Sequence, residues 1–321
     1  MFSILIPTWN NLAYLKLCIE SIRKYSRHDH EILIHVNEGS DGTLEWVRAQ
    51  GLKHSHSREN IGICLAVNCL AGQATNDWLV YVNDDMVCCP GWDTAFSKAI
   101  ESGGTDLALY FSTMIEPTDT GNQAVIVRDF GRTPEDFNES RMLEQYMSDA
   151  RGDRAGRASQ PTLVNRLWWH MVGGYSIEFG PGMSSDDDLL MKFWVAGCRN
   201  FRIIGSSRFY HFGCRSTARV RRNRGGRTFL MKWGITQQEF SARYLTQSAE
   251  TGKSPADADS AARDLPQATL LGKIKRLGYG LLNYPLGDLR AWDPAPGRHF
   301  ARSDWHHFSE ERGGSDDGAS D

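Results

Sequence analysis

The apolar run Trp78-Leu79-Val80-Tyr81-Val82 stops at Asn83-Asp84-Asp85, and Met86-Val87 then resumes it. A short apolar run bounded by polar residues predicts a buried strand. Adjacent carboxylates are costly in a core, because each charge must be paired or must hold a cation. The pair therefore belongs at the open carboxyl end of its strand, where ligands bind in α/β sheets. Oxygen ligands there suit Mg2+ or Mn2+ bridging a diphosphate.

The flanking sequence alternates in type. Phe2 to Ile6 predicts a first strand ended by Pro7. Asn10 and Asn11 can cap a helix in which Leu15, Cys18, Ile19 and Ile22 share one face. Glu31 to Val36 predicts a second strand, and Gly62 to Ala74 a helix. This alternation predicts a doubly wound, mainly parallel α/β sheet.

After a helix over Trp92 to Ile100 and a strand over Leu107 to Phe111, residues 128–165 are polar and rich in Arg, Asp and Gly. They are expected to form an insertion or mobile loop facing an acceptor. Asp186-Asp187-Asp188 opens a further helix, and Phe201–Ile204 and Arg208–His211 predict two short strands. The organisation expected is a catalytic domain over 1–235, a C-terminal helical extension over 236–311 and a disordered Gly/Ser/Asp-rich tail over 312–321.

Bulk properties exclude some partners. A net charge of −3 provides no basic field for nucleic acid. Seven cysteines without framework spacing read as reduced thiols in a cytoplasmic compartment. No stretch approaches the ~20 apolar residues of a membrane span. The helix predicted over Leu270 to Leu282 carries Lys273, Lys275 and Arg276. It either packs on the catalytic domain or makes peripheral contact with an anionic membrane, which would be the inner membrane surface.

Four groups of residues carry chemistry. Asp85 and His211 each follow an apolar strand, and one carboxylate, one imidazole and diphosphate oxygens would form an octahedral site. His211 alone equally reads as a satisfied strand-end histidine, and Asp84 as either a ligand or a ribose contact. The aspartates 186–188 at a helix start offer either a general base or a solvated cap. A loop holding Arg215, Arg219, Arg221, Arg222, Arg224 and Arg227 either closes over a departing diphosphate or is a solvated surface. Finally, Gly62 lets backbone approach a ligand closely, and Asn60 and Asn68 can hydrogen-bond it.

In this order, the segments resemble the family-2 glycosyltransferases with the GT-A fold. The carriers are Ser3 to Asn11, Val36 to Thr43, Asn60 to Asn68, Asn83-Asp84-Asp85, Gly173-Gly174-Tyr175 with Asp186 to Leu189, and Tyr210-His211 followed by Thr217. The resemblance implies Asp186 as catalytic base, Asp85 as the main metal ligand and His211 as the second. It implies a nucleotide pocket at Thr8, Asn10, Asn37, Glu38 and Asp41; Pro7, Asn60, Gly62 and Asp84 are expected beside it, and Arg221, Arg222 and Arg224 of the charged loop at the leaving group. Trp168, Trp169 and Gly174 fall on the acceptor side, although Trp168 and Trp169 read equally as core packing.

The sequence departs from the family pattern at three positions. Asn37 stands where the family usually has Asp, and Asn83 replaces the first Asp of the metal motif. Ser185 replaces a Glu, which leaves Asp187 as a second candidate base. The implied activity is inverting, metal-assisted transfer from a nucleotide-diphosphate sugar to a glycan, lipid-linked or protein acceptor. Rival readings are a sugar-phosphate nucleotidyltransferase and a non-catalytic nucleotide-sugar or glycan-binding protein.

Overall fold

The computed structural model describes residues 1–122, 124–213, 219, 223–245 and 266–281. The chain opens with β1 (Ser3–Trp9), α1 (Leu12–Tyr25), β2 (Glu31–Asn37), α2 (Thr43–Ala49), β3 (Lys53–Ser57), α3 (Gly62–Gln73) and β4 (Trp78–Tyr81). These pair in parallel in the order β3-β2-β1-β4. Pro7, expected to end the first strand, lies inside β1 opposite His35. The Leu5 carbonyl takes the Val82 N–H on the β4 side, so Pro7 also faces that side. Pairing with β4 stops at Leu5, so the missing N–H breaks no ladder bond.

Next come β5 (Met86–Cys88), α4 (Trp92–Gly103), β6 (Ala108–Glu116), β7 (Val125–Val127), α5 (Glu139–Gln145), β8 (Arg154–Ala155), β9 (Thr162–Asn165), α6 (Arg166–Met171), α7 (Ser185–Val195) and β10 (Asn200–His211). The described part closes with α8 (Gly225–Trp233), α9 (Gln237–Phe240) and α10 (Leu270–Leu281). The ten strands form one mixed, mostly parallel sheet whose main order is β3-β2-β1-β4-β9-β6-β10-β5.

The segment expected as an insertion or mobile loop is therefore structured. It supplies α5, β8 and β9, and β9 occupies the middle of the sheet, antiparallel to both β4 and β6. Only Leu163 and Val164 are apolar in β9, too few for a strand signal within a polar stretch. The two strands expected over 201–211 are one, β10, with a register shift between Ile204 and Arg208.

The two reversals through β9 give β6 the direction of β4, and β10 runs parallel to β6. The carboxyl ends of β1, β2, β4, β6 and β10 thus gather along one edge. Side chains alternate across the sheet. Ile4 and Ile6 join α1 and α4 in one core, while Leu5 joins α3 and α7 in another. The six described cysteines are unpaired, and burial pushes the Cys64, Cys88 and Cys198 thiols up to about 12. They act as small core residues rather than nucleophiles.

Candidate active site

Asp84 and Asp85 are buried in the turn between β4 and β5. Thr8, near the end of β1, donates its hydroxyl to Asp84 Oδ2 at 2.7 Å. Burial and the neighbouring charge of Asp85 push Asp84 up to about 7. The Asp85 carbonyl accepts the Phe212 N–H at 3.1 Å, fastening the turn to the end of β10.

That fastening brings Asp85 Oδ1 to 3.4 Å from His211 Nε2. Ligands at neighbouring corners of a small octahedral cation lie about 3 Å apart, so the spacing fits a shared divalent ion. On its other edge, His211 Nδ1 stands 2.8 Å from Glu116 Oε1 at the end of β6. A carboxylate there favours the tautomer whose Nε2 lone pair faces Asp85. No group of three or more His, Cys, Asp or Glu side chains among the described residues forms a complete metal site. The two donors would need phosphate and water oxygens to complete a coordination sphere.

A pocket opens beside this cluster. Of the residues the sequence pointed to, Pro7, Thr8, Asn37, Asn60, Gly62, Asp84 and Asp85 line it. Asn37 ties its wall together: Oδ1 accepts the Ile61 N–H at 2.8 Å and Nδ2 donates to the Thr8 carbonyl at 3.2 Å. Asn60 Oδ1 accepts the Gly62 N–H at 2.9 Å and turns the chain into α3.

Asn10, Glu38 and Asp41 stand behind this lining. Asn10 Nδ2 donates to Glu38 Oε2 at 2.9 Å. Both residues hold a left-handed backbone, φ 46° and 59°, which is uncommon for side chains other than Gly and clusters at functional sites. Asp41 accepts the Leu12 and Thr43 backbone N–H groups and so anchors the starts of α1 and α2.

Of the arginine-rich loop, Arg219 reaches the pocket. Its guanidinium lies 4.6 Å from the centre of the Trp9 ring and donates to the Trp9 carbonyl at 2.7 Å. Arg224 instead sits at the start of α8, where its carbonyl accepts the Arg227 and Thr228 N–H groups. Arg221 and Arg222 lie outside the described residues. Among the described residues, two buried polar atoms near this rim, Trp9 Nε1 and, behind it, Asn10 Oδ1, have no hydrogen-bond partner. Buried polar groups are ordinarily paired, so the rim offers a donor to a ligand.

The three consecutive aspartates diverge. Asp186 Oδ1 accepts the Tyr175 hydroxyl at 2.7 Å and the Gln160 amide at 2.8 Å. Asp187 turns to Arg157 and Gln237 at a separate hollow. Asp188 is fully buried and binds Lys232 at 2.9 Å, Trp233 Nε1 at 2.7 Å and the Ser176 hydroxyl at 2.6 Å.

Tyr81 connects Asp186 to the pocket it lines. Burial, then the charges of Asp186, Asp84 and Asp85 among others, raise its phenol well above the ordinary range. All three carboxylates thus act on one tyrosine. Tyr81 also packs edge-on against Tyr175, with ring centres 6.0 Å apart.

Trp169 is buried against Tyr175, ring centres 5.2 Å apart, while Trp168 is half-buried beside the same core. Gly174 has φ 57°, and a Cβ there would stand 2.3 Å from Asn68 Oδ1. Asn68 in turn bonds the Tyr175 backbone at both its N–H and its carbonyl. These residues hold Tyr175, and through it Asp186, in place.

Sequence reasoning missed Glu116, Gln160, Tyr175 and Tyr81 as members of this site. Glu116 ends a nine-residue buried strand, ALYFSTMIE, as Asp84 and Asp85 follow theirs, but Ser112 and Thr113 interrupt its apolar run and weaken the signal. Tyr175 directly follows the Gly173-Gly174 pair. Gln160 carried no local signal.

Residues 3–157 match the family model described as Glycosyl transferase family 2. That stretch, just under half of the chain, is similar to the family-2 glycosyltransferases, and the match supports a glycosyltransferase. Among solved structures, it is similar to residues 1–349 of S. aureus TarS, at TM-score 0.55 and 14% identity, covering 88% of this chain and 81% of that one. TarS 1–349 in complex with UDP-GlcNAc gives TM-score 0.46 and 14% identity over 65% and 57% of the two chains. TarS 1–349 with UDP gives 0.46 and 13% over 65% and 59%. At such identities the likeness concerns the fold, which is GT-A-like. No curated protein sequence matches the chain significantly.

Proposed function

We propose that this glycosyltransferase moves a sugar from a nucleotide-diphosphate sugar to an acceptor hydroxyl, with inversion at the anomeric carbon and Asp186 as general base. The carrying observation is a geometric link: Tyr81 lines the pocket with Asp84 and Asp85, and its ring packs 6.0 Å from that of Tyr175, whose hydroxyl donates to Asp186 at 2.7 Å.

The donor nucleotide enters between Thr8, Asn37, Asn60 and Gly62, beside the Trp9 ring. Asp85 and His211 would hold Mn2+ or Mg2+, whose chemistry there is Lewis-acid stabilisation of the leaving diphosphate, worth several kcal/mol. Arg219 adds a positive charge at the same mouth. Asp186 takes the proton of the acceptor hydroxyl as its oxygen bonds to the anomeric carbon. The carbon–oxygen bond to phosphate breaks, and its electron pair leaves with the nucleoside diphosphate. Tyr175 and Gln160 both donate to one oxygen of Asp186, which fixes the direction of the carboxylate.

Asp187 is already engaged by a cation and an amide, so Asp186 is the better placed base. The acceptor remains a glycan, a lipid-linked glycan or a protein, approaching from the side of Trp168 and Gly174. No helix among the described residues is long and apolar enough to cross a membrane.

The test is product analysis. The purified chain is incubated with a panel of nucleotide sugars, UDP-GlcNAc first, together with Mn2+ and acceptors. Mass spectrometry should find free nucleoside diphosphate and a glycosylated acceptor, and NMR an inverted anomeric centre. Retention would exclude Asp186 as the base of a single displacement, and, in a parallel incubation with nucleoside triphosphates and sugar 1-phosphates, formation of a nucleotide sugar with release of pyrophosphate would indicate a nucleotidyltransferase instead.

A further inference from the structure

α10 is turned the opposite way from a helix that completes a core. Gly272 is its buried residue, so close to Glu239 that a Cβ would stand 3.0 Å from the carboxylate. The Arg276 guanidinium lies against Gly234, and the Tyr279 ring takes the Arg227 guanidinium at 5.0 Å. Gly272, Arg276 and Tyr279 are spaced to share one face, and this small and polar face meets α8 and α9. Leu270, Leu271, Ile274, Leu277 and Leu281 form the opposite stripe and are 57–78% exposed. Amphipathic helices of soluble domains ordinarily bury that stripe.

The charges identify what the stripe meets. At 100° per residue, Lys273 and Lys275 fall on either side of it. The sequence of α10, LLGKIKRLGYGL, contains three cations and no acid. Twelve residues span about 18 Å, too short to cross a bilayer. An apolar stripe between lysines, on a helix of this length, complements an anionic lipid surface. We propose that α10 lies flat on such a membrane, with the leucine stripe at the acyl boundary and Lys273 and Lys275 against lipid phosphates. The sequence left open whether this helix packs on the catalytic domain or contacts lipid. The structure divides the two roles between its two faces.

Lipid docking uses none of the catalytic residues, so its failure and a failure of transfer are read separately. The experiment is co-sedimentation of the full chain with phosphatidylcholine vesicles, with and without phosphatidylglycerol, at low and high salt. Binding should favour the anionic vesicles by about tenfold or more and weaken with salt. The Ile274→Glu/Leu277→Glu variant should lose it, and Lys273→Glu/Lys275→Glu should lose the anionic preference. Both variants should keep native circular dichroism and nucleotide binding.

Wild-type protein that ignores both vesicles would overturn the proposal, as would variants that bind like wild type. Light scattering adds one contrary outcome: self-association abolished by Ile274→Glu/Leu277→Glu, without lipid binding, would assign the stripe to a second copy. A large fall in Tm for that variant, again without wild-type lipid binding, would mean that the chain itself covers the stripe.

Discussion

Glu116 holds His211 from behind, carboxylate oxygen to Nδ1 at 2.8 Å, so that Nε2 is presented to Asp85. Neither neighbour in sequence announces this pairing; it arises because β6 and β10 are parallel partners ending at the same edge.

If Glu116 sets the His211 tautomer, Glu116→Ala should weaken Mn2+ binding by about 10–100-fold, as loss of an outer carboxylate usually does. Glu116→Gln, which can still accept the Nδ1 proton, should recover part of it. Calorimetry gives the affinity, and 15N NMR of the metal-free protein gives the tautomer. An unchanged tautomer and affinity in Glu116→Ala would remove this role.

Asp186→Asn should lower turnover by about 10²–10⁴-fold while leaving nucleotide binding intact. Asp187→Asn should fall far less, because Asp187 faces Arg157 and Gln237 rather than Tyr175. Steady-state kinetics with parallel calorimetry decide the matter, and the reverse ranking would move the base by one residue.

Asp188 should matter for stability. It is fully buried between Lys232, Trp233 and Ser176, with Lys192 at 3.7 Å. Removing its charge leaves Lys232 with Glu178 alone and takes the nearest carboxylate from the half-buried Lys192, so Asp188→Asn should cost about 3 kcal/mol, the low end for a broken buried pair. Urea denaturation measures this, and a loss under about 1 kcal/mol would show that water screens the cluster.

His35 should impose a pH dependence. It is fully buried, with Nδ1 2.8 Å from Ser55 Oγ and Nε2 3.2 Å from Ser57 Oγ. Burial, then the charge of His56, lower it to about 4. Between that value and the unfolded value near 6.5, the unfolded chain binds the extra proton. Its contribution to stability is therefore complete above about pH 6.5 and falls as pH drops toward 4. Between pH 7 and 5 wild type should lose ~2 kcal/mol more than His35→Gln. Parallel stability curves for the two proteins would exclude the effect.

Much of this was legible in the sequence, for physical reasons that differ along the chain. In the first half β1, β2 and β4 declare themselves because buried parallel strands are continuous apolar runs, and α1 repeats its apolar residues with helical period; β3, KHSHS, holds no apolar residue and was not anticipated. Asp84 and Asp85 stood out because charge is rare next to a core. β9 did not, since its place depends on partners far away in sequence. The arginine stretch was visible as charge, but which arginine meets the pocket depends on the backbone path, and the structure assigns Arg219. Likewise, three equivalent aspartates in sequence become three different environments once α7 winds them in different directions.

The central claim is that Asp85 and His211 share a cation that carries the donor diphosphate. Its most direct test is the thermal shift of wild type and Asp85→Ala across a panel of nucleoside diphosphates, with Mn2+ or with EDTA. A ligand bound to the native state raises Tm by mass action. The account predicts that at least one nucleoside diphosphate raises the Tm of wild type in Mn2+, and that either EDTA or Asp85→Ala abolishes the shift. An equal shift in EDTA, or in Asp85→Ala, would contradict it.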